Sequence, residues 1–253
     1  MTSKRRDQIC TLLKGIETGD EASVAVVSPE YIQHNPQTHG GGEGLAALFK
    51  RLSKNSPRVN IVRIFSDGDY VFAHTEYDFD TSRIGFEIFR FEGDLTVEHW
   101  DNIQPRKGPN PSGHSMVDGP TESTDLGRAG DNREIVRSFV NDVIINGTVG
   151  KLEQYVDEYY TEHNPRIGDG LSTLHAVLSD PASTQGNTRK YDRMHRILAE
   201  GNFVLTVSEG SVNGIHSSFF DLFRVAHGKI AEHWDTTEAV PPRSEWKNDN
   251  GKF

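Results

Sequence analysis

Glu98-His99-Trp100-Asp101 occurs twice in this chain, returning unchanged as Glu232-His233-Trp234-Asp235. Each copy ends a run of strand character. The first run is Phe86-Glu87-Ile88-Phe89-Arg90-Phe91, a turn at Glu92-Gly93-Asp94, then Leu95-Thr96-Val97. The second is Phe220-Asp221-Leu222-Phe223-Arg224-Val225, a turn at His227-Gly228, then Lys229-Ile230-Ala231. Upstream, Tyr31-Ile32-Gln33-His34-Asn35-Pro36 has its counterpart in Tyr160-Thr161-Glu162-His163-Asn164-Pro165. Two blocks repeated in the same order define a tandem duplication. The repeated unit is a whole domain, far longer than the repeat of a solenoid.

The chain has 253 residues, so each copy is long enough to bury a core of its own. A formal net charge of −10 argues against nucleic acid or an anionic membrane as partner, since both require a basic surface. The single cysteine, Cys10, excludes an internal disulfide. No apolar run approaches membrane-spanning length and no secretory pattern is visible, so the expectation is a soluble cytoplasmic protein.

Ile9, Leu12, Leu13 and Ile16 fall at i, i+3, i+4 and i+7, which predicts an amphipathic helix over 3–18. A short helix over 22–27, an extended Tyr31–Pro36 segment and a helix from Leu45 to Leu52 follow. Pro36 keeps Asn35 out of helical dihedrals. Strands are expected over 59–66, 70–80, 83–92 and 95–104, with hairpin turns at Asp67-Gly68-Asp69 and Glu92-Gly93-Asp94. The second copy predicts helices from an N-cap at Asp131, over Val149–Tyr159 and over Leu171–Leu178, then strands near 189–199, 202–212, 216–226 and 229–237. The fold class is therefore α+β: two tandem domains, each with about three helices packed on a curved antiparallel sheet. The expected limits are 1–117 for copy one, a Pro- and Gly-rich linker over 118–130, and 131–253 for copy two.

This order of elements, with His-Asn-Pro early and Glu-His-Trp-Asp on the last strand, resembles the SnoaL-like family of the nuclear-transport-factor-2-like superfamily. It is most similar to the polyketide-cyclase-like, predicted aldol-condensation-catalysing group. Asn110-Pro111-Ser112-Gly113 and Asn248-Asp249-Asn250-Gly251 are similar to the tail that ends such domains. The resemblance implies cone-shaped domains with a pocket at the open end, paired through their sheets. Two fused copies would make an intramolecular pseudo-dimer, with room for further homo-oligomers.

The last strand of copy one alternates so that Leu95, Val97, His99, Asp101 and Ile103 are expected on one face, the pocket side. A carboxylate in an apolar cone has its charged form disfavoured, which raises its pKa toward acid–base use. Because the family's cyclases are thought to use such an aspartate without metal or cofactor, the resemblance makes Asp101 and Asp235 the catalytic candidates. His34 and His163 could donate to a substrate carbonyl or simply pin a loop. His99 and His233 carry the same two readings. His74 on the second long strand is matched by Val207, so copy one is expected to be the working cone. Trp100 and Trp234 should point to the opposite face as packing anchors. No metal-ligand spacing or phosphate loop is present, and neither a metal nor a cofactor is expected. The function expected is a cofactor-independent lyase or isomerase of aldol, cyclase or dehydratase type on a small carbonyl compound. The alternative is a non-catalytic small-molecule-binding module with the same pocket.

Overall fold

The apolar stripe of the first helix sets the base of the first domain. In the computed structural model, which describes residues 2–79, 81–180 and 188–253, α1 runs Thr2–Thr18. Its Ile9, Leu12, Leu13 and Ile16 are buried, each contributing roughly 1.5–3 kcal/mol. Gly19 follows at φ 67°, a left-handed conformation that stops the helix. A single 3-10 segment, Glu21–Val26, is capped by Asp20, whose carboxylate accepts from the Ala22 amide. Then come β1 (Val27–Gln33), α2 (Gly41–Leu52), β2 (Arg58–Asp67), β3 (Tyr70–Asp78), β4 (Ser82–Glu92) and β5 (Leu95–Pro105). Residue 80, the expected end of a strand, lies outside the described residues.

The second copy repeats the order with α3 (Ala129–Phe139), α4 (Leu152–Tyr155), β6 (Val156–Glu162), α5 (Leu171–Ser179), β7 (Arg189–Glu200), β8 (Phe203–Val212), β9 (Ile215–Ala226) and β10 (Lys229–Ala239). The sheets are five-stranded, ordered β1-β5-β4-β3-β2 and β6-β10-β9-β8-β7. Neighbours are antiparallel except that β1 runs parallel to β5 and β6 parallel to β10. Each domain is thus α+β with a mixed sheet. Two local expectations are corrected. α3 begins at Ala129, and its N-cap is Arg128 rather than Asp131. The helix expected over Val149–Tyr159 ends at Tyr155, because Val156 to Glu162 are drawn into the parallel ladder beside β10.

A bulge shared by both copies corrects the expected face of β5. Phe91 pairs with Thr96 and Arg90 with Glu98, leaving Val97 as the extra residue. Thr96, not Leu95 or Val97, therefore shares a face with His99 and Asp101, and Leu95 is 42% exposed.

The compact units divide the chain differently from the repeat. Unit 1 is Met1–Pro105 with Val240–Phe253, and unit 2 is Arg106–Ala239. The two tails account for the difference from limits at 117 and 131. Asn248 Nδ2 donates to the carbonyls of Asn35 and Thr38, and Asn250 Nδ2 to that of Gln33. Asn110 Nδ2 donates likewise to the carbonyls of Glu162 and Ile167. Lys252, almost wholly buried, donates through Nζ to the Asp101 carbonyl at 2.7 Å. Deleting residues 240–253 should therefore lower amide-exchange protection in β1 and β5 while leaving β6 and β10 protected. Equal loss in both sheets, read by hydrogen exchange with mass spectrometry, would contradict this assignment of the tail.

Candidate active site

In unit 2, β6 brings Glu162, β9 brings Asp221 and β10 brings His233 to one spot. The His233–Phe223 pairing in the ladder fixes this, since Phe223 and Asp221 lie on the same face two residues apart. His233 Nδ1 lies 3.0 Å from Glu162 Oε1, and its Nε2 3.1 Å from Asp221 Oδ1. Burial favours the neutral ring, but the two carboxylates outweigh it, and His233 is held well above the usual histidine range. Burial pushes Asp221 above the usual aspartate range, an effect its bond to His233 only partly offsets. Tyr191 also donates to Asp221 Oδ1, at 3.1 Å. Among the described residues, Oδ2 of Asp221 accepts no hydrogen bond.

Asp221, Glu162 and His233 form part of the wall of a cavity of about 240 Å³. The rest is mostly apolar, with Phe139, Val143, Leu174 and Phe223 facing Arg189 and Tyr191. An engineered cavity of about 150 Å³ takes up benzene, so this one has room for a compact molecule of one or two rings.

Asp235 sits beside this group but is tied down. Asn164 Nδ2 donates to both its oxygens, and Arg189 Nη1 lies 2.7 Å from Oδ2. Burial pushes Asp235 up, yet the charges of Arg189 and His233 and the Asn164 bonds outweigh it and hold its pKa below the usual range. For Asp235 the expectation of a raised aspartate is thus corrected: in unit 2 the raised carboxylate is Asp221, one strand away.

Unit 1 builds the same group with two exchanges. His99 Nε2 lies 2.7 Å from Glu87 Oε2, and its Nδ1 3.0 Å from Gln33 Oε1, an amide where copy two has Glu162. Tyr77 donates to Glu87 Oε1 at 2.7 Å, so both oxygens of Glu87 are taken. Asp101 accepts from Asn35 Nδ2 at 2.8 Å and has Lys252 Nζ 3.5 Å from Oδ1.

The remaining histidines are elsewhere. His34 stacks on Trp100 with ring centroids 4.6 Å apart, donates through Nδ1 to the Gly251 carbonyl, and meets Glu98 through Nε2. His163 stacks on Trp234 at the same spacing and meets Glu232. Both rings thus join their segments to a backbone carbonyl and to a glutamate of the last strand. His74 corrects the expected convergence on the copy-one cone. It pairs with Phe86, which pairs with Asn102, so it occupies the sheet face opposite His99 and Asp101. There its Nδ1 accepts from Arg63 Nη1, and its ring packs edge-on against Phe86. With His74 facing away, the reason to prefer copy one is gone.

Asp221, Glu162, Arg189 and Tyr191 were missed from the sequence as site residues. The exchange of Gln33 for Glu162 within the repeated segment was the readable signal. Arg189 and Tyr191 reach the site because β7 carries two bulges where β2 carries one, which periodicity does not reveal.

No protein-family model matches the chain, and no curated protein matches it. Among solved structures, it is similar to TsrD from Streptomyces laurentii, at 20% identity over 40% of this chain and 89% of that one, with a TM-score of 0.37. A candidate ketosteroid isomerase from Kribbella flavida is 13% identical over 46% of this chain and 84% of its own, at a TM-score of 0.39. IdmH, a candidate polyketide cyclase from Streptomyces antibioticus, is 17% identical over 40% and 91%, at 0.36. Each solved chain is thus largely spanned by less than half of this one. Among the described residues, no helix is long and apolar enough to cross a membrane.

The Asp235–Arg189 pair yields a stability test. Asp235→Asn leaves a guanidinium, about a quarter exposed, without its counter-charge, which should cost about 3 kcal/mol at neutral pH. Because the folded Asp235 pKa is lowered, its contribution is present above the unfolded value of about 4 and lost as pH falls through the folded value. Urea unfolding of both proteins should show a gap that closes toward low pH. A gap independent of pH would show that the carboxylate charge is not its source.

Proposed function

We propose that unit 2 is the catalytic cone and that it moves a proton α to the carbonyl of a small, largely apolar compound. The observation that carries this reading is Asp221: a buried carboxylate with a raised pKa, one oxygen held by His233 and Tyr191, the other accepting no hydrogen bond among the described residues, in the wall of a largely apolar cavity. That is what a general base requires. Its Oδ2 takes the proton from carbon, and electrons from the C–H bond move to the carbonyl oxygen as an enolate. Arg189 in the same wall supplies positive charge near that oxygen, and Tyr191, its own pKa raised by burial, remains a neutral donor. Returning the proton from Asp221 to another carbon gives isomerisation. Attack of the enolate carbon on a second carbonyl, whose oxygen then takes the proton from Asp221, gives aldol closure. Neither outcome requires a cofactor. His233 holds Asp221 in place, and Glu162 in turn holds His233.

Exchange of α-protons for deuterium in small cyclic ketones, followed by NMR, tests this without knowledge of the natural substrate. Asp221→Asn should slow exchange by about 10²–10⁴, while Glu87→Gln in unit 1 should leave it unchanged. The acid limb of the wild-type profile should lie above the usual aspartate range, because the base is inactive once protonated and its pKa is raised. Undiminished exchange by Asp221→Asn would remove the base from the proposal. Saturable binding of the ketone without any exchange would favour the binding module instead.

A further inference from the structure

The segment between β5 and α3 brings two potential metal ligands to a third on the far side of the HNP motif in unit 2. Asn110 fixes the loop, its Oδ1 accepting from the amides of Ser112 and His114, and its amide donating to the His114 carbonyl. This places the His114 ring 5.3 Å from that of His163. Asp118 follows, its amide donating to Ser115 Oγ and its carbonyl accepting from Trp234 Nε1 at 3.0 Å.

His163 Nδ1 lies 2.8 Å from Asp118 Oδ1, and His114 Nδ1 lies 3.6 Å from Asp118 Oδ2. One ligand atom from each of the three residues falls within 4.8 Å of the other two. Ligand bonds of about 2.0–2.2 Å span such separations with little movement. The Ser115 carbonyl oxygen, 2.8 Å from His163 Nδ1, is close enough to serve as a fourth.

The outer shell is what separates this group from a chance cluster. His163 Nε2 meets Glu232 Oε1 at 2.9 Å, and His114 Nε2 meets Asp169 Oδ2 at 3.0 Å. A carboxylate on the far nitrogen is the usual support of a metal-bound imidazole, fixing its tautomer and raising its basicity. The inner nitrogens are both Nδ1 and both face Asp118. His163 is buried against Trp234, whereas His114 and Asp118 are partly open to solvent, which gives an ion a rigid anchor and an entry path.

Unit 1 supplies a comparison. Its equivalent ring, His34, has Nδ1 on the Gly251 carbonyl, and the next residue, Lys252, sends its Nζ to the Asp101 carbonyl instead of to that ring. The buried group Glu87, His99 and Asp101 also has ligand atoms within reach of one another, but its atoms are engaged by Tyr77, Gln33 and Asn35.

We infer that His114, Asp118 and His163 form a binding site for one divalent transition-metal ion per chain. Two imidazole nitrogens and a carboxylate oxygen suit zinc, cobalt, nickel or iron rather than magnesium or calcium. Bound there, the ion would clasp residues 106–118 to the end of β6, away from the cavity of the proposed reaction. The inference does not rest on that reaction.

Full-length, tag-free protein stripped with chelator and titrated with zinc in a calorimeter should show one site. Cobalt should give a visible absorption band, and zinc should raise the melting temperature. His114→Ala and Asp118→Asn, both partly exposed, should keep the native far-UV spectrum and weaken zinc by at least about tenfold, as should the supporting change Asp169→Asn. His216→Ala is the control, since His216 and His195 flank Glu209 in a separate surface group, and it should leave zinc binding intact. No heat and no cobalt band up to millimolar ion would overturn the site. So would binding that survives the His114 and Asp118 changes, or that disappears with His216→Ala.

Discussion

Each domain depends on one carboxylate that ties three strands. Glu98 accepts from Arg90 of the neighbouring β4 and meets the His34 ring at the end of β1. Glu232 does the same with Arg224 and His163. Burial works against both charges, yet the bonds to histidine and arginine hold both glutamates below their usual range. The parallel pairing of β1 with β5 then follows, with the His34 amide donating to the His99 carbonyl at 2.9 Å, as His163 does to His233 at 3.0 Å. A parallel strand added at a sheet edge has no hairpin to fix its register, and here side chains supply that constraint. The two repeated blocks are the two halves of this clamp.

The clamp also divides the last strand between packing and chemistry. Glu98, Trp100 and their partner His34 belong to the structural side, with Trp100 covered by the stacked imidazole. His99 and Asp101, on the alternate face, meet Glu87 and Asn35. Period-two alternation thus assigns one tetrapeptide two tasks, and on the second the two copies differ in the residues that surround the histidine. In copy two a glutamate replaces Gln33, Gly210 stands where Tyr77 pairs in β3, and a tyrosine from β7 takes over the phenol. The geometry common to both copies holds the fold, and after the exchanges Oδ2 of Asp221 accepts no hydrogen bond among the described residues.

Much of this was legible in the sequence. The apolar stripe of α1, the eight antiparallel strands and the tandem domains were read from periodicity and repetition alone. The pairing of the His-Asn-Pro block with the last strand was not, because periodicity does not say which strands are neighbours. Strict alternation also failed at Val97, where a bulge shifts the face of everything before it. His74 was misplaced for a related reason: as an even-numbered neighbour of Phe86 it belongs with Asn102, and a histidine's polarity does not reveal which face it takes. Asp235 was taken with Asp101 as a candidate raised carboxylate because its partly buried partner, Arg189, comes from a strand whose extra bulge no spacing rule anticipates.

The division of the tails between the units bears on how the chain matures. Unit 2 is a single unbroken stretch, whereas unit 1 closes only when residues 240–253 join residues 1–105. Domains of a nascent chain ordinarily form in order of emergence, N-terminal first. Here the contacts of Lys252 with Asp101, and of Asn248 and Asn250 with the carbonyls of β1 and the segment after it, come from the last residues made. The second domain, nested within the first in sequence, includes none of them. In sequence, then, the last residues that complete the first unit are synthesised after the whole of the second.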